Sequence, residues 1–523
     1  MSPNRNPLWW HLVSIVVVSA AFESLFIHHG IAWLFDEGWP LYAAMQLHDG
    51  AVLYRDVLFP FPPGHLLPAW IAYGLDPPGI VLARVLYASF CVALNVAVYF
   101  LGRRVTTPTF ALLAALLLAV AAPRSHLSQL LFGYRYMVIA VLALLAFAAR
   151  LQADDAREAR RWMRVAGALA GVALVFRLTP AFAVSCGVAV AVIAASREWR
   201  DWLRDWTAYG AGLAVVTVPV LAWFAWSVGL DVLWREVVTR IVALQSAQAL
   251  ASPPLTLLPE SFDRGAVYRW FVGVQYRLYV VLYAGYAVGL VALWLRSRRE
   301  RRDYEHALLL AIVVAGGIYL LRALGRSDDH HLMSALPPVC LVLAHGIGVL
   351  AGRARGVPAG AVVVGVLGLW IFLMNTDSFL FEKNRGRIPL ASTGGEVRVT
   401  RRPVAARIDG VVAWVQRETR EGDVVLDLTG APLFHPLMDR RGPGMLDVVS
   451  PGIFLSREEE EAFVARLAAS PPAAVIWPAM SFDRRPDRGV EKVAPRVSAW
   501  VRGHYREAAS IDRYRMLLPE EGR

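Results

Sequence analysis

Apolar residues along this chain gather into blocks near residues 8–30, 79–101, 106–122, 136–149, 165–177, 180–196, 207–228, 274–295, 306–322, 333–352 and 357–376. Most are roughly 17–25 residues long with few charges, the length a helix needs to cross the hydrocarbon core of a bilayer. The pattern predicts an α-helical polytopic membrane protein of about 11 transmembrane helices. The first block is long and is preceded by a single arginine, so it reads as a retained helix and not as a cleaved signal peptide. The blocks at 165–177 and 180–196 are parted by Arg177-Leu178-Thr179-Pro180. An arginine and a proline at that depth predict a tight turn or broken helices, tolerated only where protein or water covers the backbone.

Near Asn384 the pattern becomes that of a soluble chain. Gly422-Asp423 leads into the β-rich run Val424-Val425-Leu426-Asp427-Leu428. Ser456, followed by Glu458 to Glu461 and an apolar stripe through Phe463, Val464 and Leu467, reads as a capped helix. Pro471-Pro472 precedes a second strand-like run, Ala473-Ala474-Val475-Ile476-Trp477. This alternation predicts a transmembrane domain over residues 1–380 and a small C-terminal α/β domain over residues 381–523. Arg441-Gly442-Pro443-Gly444 lacks the glycine spacing of a dinucleotide loop and reads as a turn. His435, Asp439, Arg440 and Arg441 read as a polar cluster on a solvated turn.

Composition sharpens the class. The chain is 57% hydrophobic, above the 45–50% or so of soluble domains. The net charge of +11 comes almost entirely from arginine. A basic balance can signal nucleic acid, but these arginines sit in short loops between apolar blocks, where membrane orientation explains them and no nucleic-acid partner is expected. With the N-terminus cytoplasmic, the arginine-rich loops at 103–104, 150–164, 197–204, 296–302 and 353–355 lie inside. The loops after the first block, at 124–135, 231–268 and 325–331, then lie outside together with the C-terminal domain. Cys91, Cys186 and Cys340 all fall in apolar blocks and read as buried thiols, without a disulfide framework or metal-ligand spacing.

The outer loops hold the candidate chemistry. Asp36-Glu37 stands where the first helix should surface. Such acids can simply end a helix; beside an apolar wall, one can instead have its proton affinity raised and act as a general base, while the other orients it or binds a cation. From Trp39 to Leu47, apolar residues recur at helical spacing and Gly50 closes the run, which predicts an amphipathic helix on the membrane surface. Arg55, Asp56 and His65 follow in the same loop. Arg135, Arg177, Arg322, Arg326, Asp328, His330 and His331 fall on the same face, and arginine forks suit a phosphate leaving group. A zinc reading of Asp328-Asp329-His330-His331 is disfavoured, because neighbours on one helix point to different faces. Glu23 and His28-His29, in or near the first block, are functional suspects by position, with helix-to-helix hydrogen bonding as the simpler role.

Asp36-Glu37-Gly38, Tyr42-Ala43-Ala44, Gly50, Tyr54-Arg55-Asp56 and Pro62-Pro63 together resemble the first outer loop of the polyprenyl-phosphate-dependent membrane glycosyltransferases of the GT-C class. The nearest group is the protein O-mannosyltransferase and aminoarabinose-transferase-like one, glycosyltransferase family 39-like. Gly325-Arg326-Ser327-Asp328 and the stretch from His331 to Pro338 resemble a later loop of its bacterial members. The resemblance implies an enzyme of the bacterial cytoplasmic (inner) membrane with an extracytoplasmic C-terminal domain. It implies inverting transfer of a sugar from a lipid-linked donor to an envelope lipid, polysaccharide or protein. Asp36 would be the catalytic base, with Glu37 supporting it or helping to bind a divalent cation; some relatives use a metal and others do not. Arg135 and Arg326 would hold the lipid phosphate. Arg55, Asp56, His65, Asp328, His330 and His331 complete the substrate-binding candidates, and a second acid seen in some members has candidates in Asp56 and Asp328. A multi-span transporter of a small anionic or lipid-linked solute is the alternative, since broken spans and embedded charges also suit one.

Overall fold

The computed structural model describes residues 7–31, 37–121, 133–196, 198–250, 256, 258–296, 304–326, 329–353, 358–375, 387–481 and 485–520. The apolar blocks lie on the helices Pro7–Ile27, Ile80–Gly102, Pro108–Ala121, Met137–Leu151, Ala156–Phe176, Leu178–Ala195, Trp199–Val228, Arg264–Arg296, Tyr304–Leu324, Leu336–Arg353 and Ala359–Asn375. By length and composition, seven stretches among the described residues suffice to cross a membrane, and three shorter apolar helices accompany them. The chain is thus a multi-pass membrane protein.

The break expected near Arg177 is present. Arg177 is extended, with φ −160° and ψ 130°, and serves both as the C-cap of Ala156–Phe176 and as the N-cap of Leu178–Ala195. Pro180 falls in the first turn of the second helix, where a missing N–H leaves no helical bond unmade. The helix before the break packs on Trp199–Val228 through glycines. A Cβ on Gly167 would overlap the Tyr209 carbonyl, and one on Gly212 the Arg164 carbonyl. Small residues let helix backbones approach closely. Gly167→Val is therefore expected to lower the thermal unfolding temperature of the detergent-solubilised protein, at a cost of about 1–3 kcal/mol. Gly210→Val, at a glycine with open space around it, is the control for lost helix propensity. Equal melting of the two variants would remove the packing account.

The 150–155 turn and the start of the Trp199–Val228 helix meet at one end of the bundle. There Arg150 Nε donates to Asp205 at 3.0 Å, and the Asp155 carboxylate caps its helix by accepting from the Arg157 and Glu158 amides.

The C-terminal domain carries the strands β1 (Ile388–Pro389), β2 (Arg398–Val399), β3 (Val425–Asp427), β4 (Ala474–Pro478), β5 (Tyr505–Ile511) and β6 (Tyr514–Pro519). β1 and β2 pair antiparallel; the others form a sheet of order β3-β4-β6-β5. β3 and β4 are parallel and wholly buried, as their unbroken apolar runs require. The helix Arg457–Ala469 lies in the crossover between them, with Ser456 as its N-cap.

The domain sits on the other end of the bundle. Gly30 N donates to Arg398 O at 2.8 Å. Arg240, fully buried, bonds Glu236 beside it and reaches Glu459 of the domain at 3.0 Å. Arg488 bonds the carbonyls of Ala247 and Ala249. Of the loops expected to share a face with this domain, the described parts after the first helix and at 231–250 do contact it.

Two local expectations are corrected. The helix Gly38–His48 does not lie on a membrane surface: residues 38–46 are all buried. Leu41 and Ala44 join the cluster that runs from the membrane helices into the C-terminal domain, whereas Trp39, Tyr42, Ala43 and Met45 join the cluster in which the first loop packs on the C-terminal domain. Apolar side chains surround the helix on every side, the mark of a buried helix. His435 and Arg440 are likewise buried and not on a solvated turn. The Arg440 guanidinium is satisfied by Thr419 and by backbone carbonyls.

Candidate active site

Glu37 precedes the Gly38–His48 helix and is 1% exposed. Its carboxylate accepts from Arg84 Nε at 2.6 Å and Nη2 at 2.7 Å, a bidentate pair. The same guanidinium donates to Ile27 O at 3.0 Å and Gly30 O at 2.7 Å. Arg84 thus binds the end of the first helix, the loop after it and Glu37 into one unit. Sequence reasoning passed over Arg84 because it lies inside an apolar block; an ionisable group at such a position was itself the available signal. Asp36 lies outside the described residues.

One turn further along its helix, Tyr87 donates to the carbonyl of His65 at 3.2 Å, and Tyr136 does so at 3.0 Å. The His65 ring is fully buried and stacks on Phe61 at 5.4 Å. Arg177 lies over the other partner of that stack, 4.0 Å from the Phe61 centroid, and feels the charge of Arg322. Arg135 lies 5.6 Å over the Tyr87 ring and 3.7 Å from Glu23. The break at Arg177 thus delivers a guanidinium to a buried aromatic setting, where it meets a residue from the first loop. His65 and Arg135 belong to one network, together with Glu23, Arg177 and Arg322.

Arg55 and Asp56 form an ion pair with each other at 2.8 Å on an exposed turn. Asp56 also accepts from Val52 N at 2.9 Å, and Arg55 holds its carboxyl below the usual range. The turn is tight: Tyr54 takes φ 70°, and its buried hydroxyl donates to Phe61 O at 2.7 Å. Tyr54-Arg55-Asp56 therefore shapes the loop that presents Phe61. Arg326 Nη1 donates to Gln248 at 2.7 Å and so joins a different loop. His331 is buried, and its carbonyl accepts from Ser334. Asp328 lies outside the described residues, as does the side chain of His330. Among the described residues, no group of three or more His, Cys, Asp and Glu side chains is placed to hold a metal ion.

No protein-family model matches the chain and no curated protein matches it. Solved structures do resemble it. ArnT from Cupriavidus metallidurans bound to undecaprenyl phosphate aligns over 99% of each chain at 14% identity, with a TM-score of 0.60. The apo form of that protein gives 0.58 over 98% of this chain and 97% of that one. The archaeal oligosaccharyltransferase AglB from Archaeoglobus fulgidus, in complex with an inhibitory peptide and a dolichol-phosphate, gives 0.50 at 13% identity over 91% of this chain and 70% of its own. These likenesses show the fold: a GT-C-like membrane bundle with a small C-terminal sheet domain.

Proposed function

We propose that the chain is an integral membrane glycosyltransferase that moves a sugar from a polyprenyl-phosphate-linked donor to an acceptor outside the cytoplasm. The observation that carries this reading is the pair of buried guanidinium groups, Arg135 and Arg177, held against aromatic rings beside the acidic first loop, with the charge of Arg322 acting on Arg177. Guanidinium groups in a dry setting suit a phosphate, whose charge grows as its bond to the sugar breaks. The full-length likeness to a protein bound to undecaprenyl phosphate supports a lipid carrier of that class. Asp36 takes the proton of the acceptor hydroxyl, and that oxygen attacks the anomeric carbon. The electron pair of the old bond leaves with the lipid phosphate, and the configuration inverts. Glu37, gripped by Arg84, fixes the position of its neighbour instead of taking the proton. The arginine bias supports a cytoplasmic-membrane location with the C-terminal domain outside.

Comparison of envelope glycans with and without the gene tests the reading, with Asp36→Asn as the complementing variant. Wild type is expected to restore a missing modification. Asp36→Asn, expressed and inserted equally, should transfer about 10²–10⁴-fold more slowly. Full restoration by Asp36→Asn would remove Asp36 as the base. Flux of a small solute with unchanged glycans would favour the transporter that the broken helices at Arg177 also suit.

A further inference from the structure

A buried polar seam joins the C-terminal domain to the first loop, and the reaction above does not use it. Tyr42 is 1% exposed. Its hydroxyl donates to Asp447 Oδ2 at 2.5 Å and accepts from the Gly442 amide at 2.9 Å. Its ring stacks on His435 with centroids 4.2 Å apart and planes 16° from parallel. Asp447 also accepts from Gly444 N at 3.3 Å. Behind it on β3 lies Asp427, whose Oδ1 accepts from Thr429 N at 2.8 Å. The other oxygen of Asp427 is buried with no hydrogen-bond partner among the described residues. The same helix is held at both ends, by Gly38 against the Leu433 backbone and by Asp49 paired with Arg441 at 2.8 Å.

We propose that Tyr42, Asp447 and His435 form a latch by which the C-terminal domain positions the first outer loop, with Asp427 and Asp447 as its pair of buried carboxyls. The positioning acts on Glu37, which is the N-cap residue of the latched helix; its catalytic meaning rests on the glycosyl-transfer reading. Tyr42 and Asp447 are positioning residues, since neither meets the reacting atoms. A buried tyrosine need not end on a carboxylate to be satisfied, and a second buried carboxylate beside the first adds repulsion. The arrangement therefore makes docking depend on a proton.

The groups facing this pair come from several elements. Asp447 meets Tyr42 of the loop helix and Arg466 of the helix Arg457–Ala469, and its charge acts on Asp427. Asp427 also acts on Tyr514 of β6. Burial pushes both carboxyls up to about 7, and Asp447 adds to the effect on Asp427. His435, pushed down to about 4 by burial, is neutral in this range and does not drive the change. A solvated aspartate titrates near 3.9. Between about pH 4 and pH 7, the docked state thus holds more protons than the undocked one. Its extra stability is fully present at the acid end and is lost as pH rises through about 7.

Hydrogen exchange on the full-length detergent-solubilised protein tests this, read on the amides of the Gly38–His48 helix and corrected for intrinsic chemistry. In wild type, exchange should accelerate as pH rises from about 4 to about 7 and level off above that. Asp447→Asn should reduce that dependence, and Asp427→Asn/Asp447→Asn should abolish it. Tyr42→Phe should exchange roughly tenfold faster at every pH, as expected for a lost buried hydrogen bond, with the membrane helices unchanged. Equal protection in Tyr42→Phe and wild type would overturn the latch; so would a pH profile that survives in the double variant. Binding of undecaprenyl phosphate, measured on the same samples, separates the two readings. The exchange signature without such binding supports the latch and overturns the glycosyl-transfer reading it serves.

Discussion

Arg84→Met is expected to abolish transfer and to destabilise the protein together. The substitution leaves Glu37 buried without the fork that now holds both of its oxygens at 2.6 and 2.7 Å. It also frees the carbonyls of Ile27 and Gly30 from the guanidinium that joins them. Removing one partner of a buried pair costs about 3–5 kcal/mol, because a charge is stranded away from water. Arg84→Lys keeps the charge and loses the fork, so it should fall between Met and wild type. The double variant Glu37→Met/Arg84→Met separates stability from catalysis. An apolar pair of similar volume is often no less stable than the ion pair it replaces, so its melting temperature should recover towards wild type. Its transfer activity should not, since the loop would be packed but no longer oriented. Melting curves and envelope glycan profiles on the same four proteins give the result. A stable and fully active Arg84→Met would show that Glu37 needs no cation and that the loop is oriented by other means.

Gly38→Val carries the second large effect. A Cβ at Gly38 would lie 2.6 Å from Leu433 Cα and 2.7 Å from its Cβ, against backbone that cannot swing aside. The domain must shift by about the width of a methyl group, or the helix must roll. Either movement separates Tyr42 from Asp447, which now touch at 2.5 Å. Displacement of a catalytic group by about 1 Å costs on the order of 10²-fold in rate, and that is the expected fall in transfer. Gly38→Ala should show the same effect in smaller measure. Limited proteolysis reads the structural half of the prediction, because a lifted domain exposes the apolar face of the Gly38–His48 helix. Unchanged proteolysis with normal transfer would show that the contact at Leu433 relaxes at no cost.

The membrane helices were legible because a bilayer admits few alternatives. Each span must be long and apolar, and Arg177 with Pro180 had to break the run they interrupt. The strand at Val425, the cap at Ser456 and the strand at Ala474 were legible for a similar local reason. What escaped was everything that depends on a distant partner. Residues 39–47 read as an amphipathic surface helix because one run does not show that a domain 400 positions away covers its second face. His435 and Arg440 read as solvated because polar letters look alike whether water or Thr419 satisfies them. Arg84 was hidden by its apolar neighbours. At the site, His65 and Arg135 do meet in one network, whereas adjacent Arg55 and Asp56 answer each other.

The order of synthesis gives the Tyr42–Asp447 contact a further consequence. The two residues are 405 positions apart. A ribosome adding roughly 5–20 residues per second makes the loop helix roughly 20–80 s before its partner exists. During that interval Trp39, Tyr42, Ala43 and Met45 have no domain core to join. A chain truncated before β3 keeps them uncovered permanently, as an apolar patch beside a half-built site. Membrane quality control that recognises exposed apolar surface can therefore tell a finished chain from an unfinished one at this helix.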